Sequence, residues 1–144
     1  MDALSVTWLV QAGATWMMVG VIWFVQLIHY PLYRRIGEGF VDYERSHLRR
    51  AAWLMGPVML IEALSALFLV GMQSTPEFTH WATVNLILLI LIWVSTCLFQ
   101  VQLHQKLSVR FSKKLHRNLL TTNWVRVFLW TFRGILVLSM LAEL

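Results

Sequence analysis

The chain has 144 residues, of which 58% are hydrophobic and only 13% charged, with eight tryptophans and a single cysteine. This composition is too apolar for an ordinary soluble domain, and one cysteine excludes an intrachain disulfide. The net charge of +5 does not point to nucleic acid, because the Lys and Arg residues flank apolar runs instead of forming a basic domain.

Four apolar runs stand out, at about 6–28, 51–72, 81–103 and 124–144. Each holds roughly 20 residues, which at 1.5 Å per residue spans a hydrocarbon core of about 30 Å. The reading is all-α: one transmembrane domain over 1–144, an integral membrane four-helix bundle. The first run follows Asp2 with no basic residue and exceeds a signal-peptide core, so it reads as a retained helix. Pro31 is expected to end or bend that helix. The connection 33–50 carries Arg34, Arg35, Arg45, Arg49 and Arg50. Within it, residues 40–52 read as a short interfacial helix with Tyr43, His47 and Arg50 on one side. Gly56-Pro57 is expected to kink the second span. The short 73–80 loop makes the second and third helices adjacent and antiparallel. The connection 104–123 carries Lys106, Arg110, Lys113, Lys114 and Arg117, and within it residues 106–122 read as helical at the membrane surface. Basic connections stay on the cytoplasmic side, so both termini and the middle loop are expected outside. The expected partners are the bilayer and anionic lipids at its cytoplasmic face.

Two segments are nearly alike, VQLIHYPLYRR at 25–35 and VQLHQKLSVR at 101–110. They suggest two pseudo-symmetric helical hairpins related by an axis along the membrane normal. Polar residues inside the spans are phased. At 100° per residue, Gln11, Thr15, Ile22, Gln26 and His29 fall within about 60° of one another. Asn85, Thr96 and Gln100 share a face with His104 at its margin, and Asn123, Arg126, Trp130 and Arg133 form a stripe. Such seams should face inward, because lipid cannot satisfy them. Glu62 and Arg133 lie at similar depth with opposite sign and are expected to form a buried ion pair. Arg126, one turn in, is expected to snorkel outward. Trp8, Trp81 and Trp124 suit interfacial belts, while Trp23, Trp93 and Trp130 could wall a cavity. Cys97 reads as a small buried packing residue.

His29, His47, His104 and His116 all fall at the cytoplasmic side. Imidazole ligates transition metals and haem and shuttles protons, so these four are candidate metal ligands, with haem or a transition metal as candidate cofactor. Glu44-Arg-Ser-His47 places a carboxylate and an imidazole on one helix face. Gln26, Glu44, Gln100 and Asn123 complete the candidate ligand set, with Arg50 and Arg126 supporting it.

Over HYPLYRRIGEGFVDYERSHLRR, GPVMLIEALSALFL, FQVQLHQKL and TNWVRVFLWTFRG, most of the chain resembles a family of small uncharacterised four-helix bacterial inner-membrane proteins. More remotely it is similar to the anthrone-oxygenase-like membrane family. That family carries Asn-x-Pro-x-Asn where this chain has Gln100-Val-Gln102-Leu-His104. The resemblance implies the membrane fold and a multi-pass inner-membrane location. Two readings of function stand together: a membrane oxidoreductase or oxygenase acting on a lipophilic substrate or holding haem or a metal, and a non-enzymatic binding or assembly protein whose seam specifies packing. A transporter would need a homo-oligomer.

Overall fold

A computed structural model describes residues 2–72 and 75–143; Gln73 and Ser74 of the middle loop and both terminal residues lie outside the described residues. Four long helices run through these residues: α1 (Ala3–Arg35), α2 (Gly37–Met72), α3 (Pro76–Leu107) and α4 (Lys113–Ala142). Length and apolarity make this a multi-pass membrane protein. At 30 to 36 residues each helix is roughly 45–54 Å long, well beyond a hydrocarbon core of about 30 Å.

The extra length corrects the expected connections. Residues 40–50 are not a separate interfacial helix, since Phe40–Met72 is continuous. Pro57 lies inside that helix on an exposed face without ending it. Most of 104–123 likewise belongs to α3 and α4, with non-helical chain only at 108–112. Charged residues end the hydropathic signal, but they do not end the helix. Gly37 turns the chain between α1 and α2 at φ +73°, a left-handed conformation open to glycine. Asp2 caps α1 by accepting the Ser5 N–H at 2.8 Å, and that bond holds its carboxyl below the usual range. Thr75 caps α3 ahead of Pro76, which needs no N–H partner there.

Both odd-numbered helices loosen into a π-helical turn, Val25–His29 in α1 and Thr96–Val101 in α3. In α1 the Tyr30 N–H reaches back to the Val25 carbonyl, the five-residue step of a π turn. This widening lies just ahead of Pro31, whose ring would crowd a regular helix. The helix therefore continues through the proline instead of stopping. The paired V-Q-L segments meet these turns, yet Gln102, the sequence match of Gln26, is exposed, and Gln100 is buried instead. The two hairpins share a backbone device and not the facing of matched residues.

Packing runs round a square: α1 against α2 and α4, and α3 against α4 and α2. Three apolar layers fill it, centred on Trp8 and Leu69, on Ile22 and Trp130, and on Tyr33 and Phe40. Trp8 is fully buried and not an interfacial anchor. The outer surface shows Leu27, Trp53, Leu64, Ile90 and Phe128, as a lipid-facing surface requires. Cys97 is exposed on that surface, contrary to its expected burial. At Gly134 a Cβ would meet Val19 Cγ2 at 3.1 Å, and Trp16 Nε1 donates to the Gly134 carbonyl at 3.2 Å. This glycine lets α4 approach α1 closely.

Candidate functional site

Just past each π turn, one aromatic side chain points into the bundle at the basic end. Tyr30 follows the first turn and His104 the second, and the Tyr30 hydroxyl lies 2.8 Å from His104 Nε2. His104 Nδ1 in turn meets the fully buried Glu44 Oε1 of α2. With Glu44 ionised, Nδ1 carries the proton and Nε2 accepts from the phenol. The chain Tyr30–His104–Glu44 thus has the hydroxyl–imidazole–carboxylate order of a proton relay. Arg45, next to Glu44, donates from Nε to the Ser108 carbonyl at 3.1 Å, which ties this part of α2 to the turn after α3.

A second chain of amides lies deeper. Gln26 Nε2 donates to the Leu120 carbonyl at 3.1 Å, Asn123 Nδ2 donates to Gln26 Oε1 at 2.8 Å, and Arg126 Nη1 donates to Asn123 Oδ1 at 3.2 Å. The carbonyl fixes the orientation of both amides, since it can only accept. Arg126 does not snorkel outward: it is buried, stacks over Trp130 at 5.3 Å, and leaves Nε without a partner. No carboxylate among the described residues pairs with it.

Tyr30, His104 and Arg126, with Gln100 and His47, line a cavity of about 460 Å³ whose other walls are mostly aliphatic, with Met18, Met55 and Met59 among them. Its lining residues come from all four helices. Ala52 and Gly56 of α2 and Val101 and Gln105 of α3 are exposed lining residues, so the opening lies sideways between α2 and α3. No tryptophan lines it. Trp23 donates to Thr131, Trp93 is exposed, and Trp130 lies beneath Arg126.

The four histidines do not form one metal site. His29 Nε2 and His47 Nδ1 face each other at 3.2 Å, and the Tyr43 hydroxyl stands 3.5 Å from His29 Nδ1. His104 is held by Tyr30 and Glu44, and His116 Nε2 donates to the Tyr30 carbonyl at 2.6 Å. Each imidazole spends a ring nitrogen on a protein partner. Among the described residues no three His, Cys, Asp or Glu side chains are grouped to hold a metal. Glu44 and His47, one turn apart, turn to different partners, and Arg50 lies exposed beside a shallow groove outside the cavity.

Glu62 and Arg133 meet farther along the bundle. Arg133 Nη1 donates to Glu62, and Arg133 Nε donates to Asn85 Oδ1 at 2.8 Å. Both charges are fully buried, and neither lines the cavity.

Tyr30 and Tyr33 escaped the sequence reading. Both are buried, and Tyr33 packs edge-on to His29 and stacks near His116. The missed signal was the pairing of a proline with a preceding apolar run, which marks a widened turn. A π turn inserts about one residue's rotation, roughly 100°, so Tyr30 takes the inward position expected of His29. His29 is only half-buried.

Fold and site together define the class: a polytopic membrane protein with a largely apolar cavity and a buried Tyr30–His104–Glu44 hydrogen-bond chain at its basic end. No family model, curated protein or solved structure matches the chain.

Proposed function

We propose that this is a bacterial inner-membrane enzyme, of the oxidoreductase or oxygenase kind, acting on a lipophilic substrate taken from the cytoplasmic leaflet. The observation that carries this reading is that the Tyr30–His104–Glu44 chain ends on the wall of a largely apolar cavity. A buried hydroxyl–imidazole–carboxylate chain is costly to assemble unless every group is used, and here its terminal phenol meets the space a ligand would fill. Tyr30 exchanges a proton with the ligand, His104 carries it, and Glu44 fixes the imidazole and stabilises its charged form. The Lys and Arg residues near 34–50 and 106–117 support a cytoplasmic position for this end and an attraction to anionic lipid there. The resemblance to small inner-membrane proteins and the remote likeness to the anthrone-oxygenase-like family point the same way.

The test is substrate consumption. Protein in lipid nanodiscs is incubated under air with hydrophobic extracts and lipophilic quinols, and products are followed by mass spectrometry. Wild type is expected to consume a component that empty discs leave untouched, and Tyr30→Phe to do so ~10²–10⁴ times more slowly, the usual scale of general acid–base catalysis. Consumption by Tyr30→Phe at the wild-type rate would overturn the relay. No consumption by wild type would favour the second reading, an assembly or binding protein. The sealed Glu62–Arg133–Asn85 layer supports that second reading, since such layers specify helix packing on their own.

A further inference from the structure

Two residues that line the cavity, Arg126 and Gln100, each keep one buried polar atom that the protein leaves unpaired, Arg126 Nε and Gln100 Oε1. Both side chains are more than nine-tenths buried. Their orientation is fixed from behind. The Thr122 hydroxyl donates to the Asn118 carbonyl at 2.7 Å, so its oxygen can only accept the Gln100 Nε2 N–H at 2.9 Å. That leaves Gln100 Oε1 as a bare acceptor. Arg126 is steered by Asn123 and Trp130, with the Tyr30 hydroxyl beside its guanidinium, and its Nε alone is left without an acceptor. Unsatisfied buried groups are costly, and of those among the described residues this donor and this acceptor belong to side chains that line the cavity.

We infer that the cavity binds a single-chain amphiphile whose head joins an anionic oxygen to a neighbouring hydroxyl or amide donor. On binding, the Arg126 guanidinium and the Gln100 amide turn toward the ligand, so that the anionic oxygen accepts from the guanidinium and the donor satisfies Gln100 Oε1. The acyl chain lies along Met18, Met55 and Met59, flexible side chains that adapt to an unbranched tail. It leaves between α2 and α3, past Ala52, Gly56 and Val101, into the bilayer. A volume of about 460 Å³ is within the ~300–1,000 Å³ of small-molecule sites. This inference rests on reading the cavity as the ligand site, and it adds the class of ligand.

Calorimetric titration in zwitterionic nanodiscs, against empty discs, tests it with three probes: 2-hydroxydodecanoate, dodecanoate and dodecanol. Wild type should bind the hydroxy acid most tightly and the alcohol most weakly, each step about tenfold. Arg126→Met should remove the preference for acid over alcohol and leave the alcohol unchanged. Gln100→Leu should erase only the preference for the hydroxyl, and it carries the test alone should Arg126→Met not fold. Equal binding of acid and alcohol by wild type, or an acid preference surviving Arg126→Met, overturns this inference while the cavity remains a ligand site. Failure of all three probes to bind wild type overturns the inference and the ligand-site reading together.

Discussion

Arg133 and Arg126 are both buried guanidinium groups on one helix, yet their surroundings differ in kind. Arg133 has a carboxylate, Glu62, and an amide, Asn85, closed around it. Arg126 has one amide, the Tyr30 hydroxyl, a tryptophan face and a cavity. Both arrangements leave buried polar atoms unpaired, Arg133 Nη2, Glu62 Oε2 and Asn85 Nδ2 in the first and Arg126 Nε in the second. They differ in that Arg133 has a carboxylate partner away from the cavity, whereas Arg126 lines the cavity with no carboxylate partner among the described residues. Removing one member of the Glu62–Arg133 pair strands a buried charge, at a cost of about 3–5 kcal/mol, while replacing both by apolar residues of similar size is often close to neutral. Thermal unfolding in detergent should therefore rank Glu62→Leu and Arg133→Met as much less stable than wild type, with the double variant recovering most of the loss. A double variant no better than the worse single would show that the two charges do not depend on each other. The sequence made this pair legible because lipid offers no alternative partner at that depth.

Helices and turns were less evenly legible. Regular helical phase placed Gln11, Gln26, Asn85, Gln100, Asn123 and Arg133 inside, and all are buried. It missed Tyr30 because a π turn breaks the phase, and a one-residue slip in register cannot be seen from hydropathy. It also cut helices short where arginines and lysines begin, since a helix leaving the hydrocarbon continues through the headgroups with its charges solvated. Close helix approach is a further property of elements. Gly134 lies where α4 meets Val19 and Trp16 of α1, and the added bulk of Gly134→Leu must force them apart. Overpacking of this kind costs about 1–3 kcal/mol, so the variant's unfolding transition should fall by several degrees. Gly134→Ala should fall less, since Val19 needs to yield only slightly. A Leu variant as stable as wild type would mean that the α1–α4 contact is not tight.

At the scale of the whole molecule, the four-helix membrane architecture was readable from four apolar runs and their flanking charge, and the described residues form that bundle. The site was readable only as a place. Sequence put four histidines, two glutamines and an asparagine at one end, but not which would meet. The structure divides them into a His29–His47 pair, a Tyr30–His104–Glu44 chain and a Gln26–Asn123–Arg126 chain. That division comes from side chains on different helices, which no single-helix periodicity contains. Among the described residues it groups no metal site from the candidate ligands, and it sets the Tyr30–His104–Glu44 chain, which we propose as a proton relay, beside a largely apolar cavity. The most direct measurement of that relay is the ¹⁵N spectrum of histidine-labelled protein in nanodiscs, with His104 assigned by substitution. We expect His104 to hold its proton at Nδ1 with Nε2 accepting from Tyr30, and both Glu44→Gln and Tyr30→Phe to shift these signals while those of His80 stay in place. A proton on Nε2 in wild type, or His104 signals unmoved by either substitution, would contradict it.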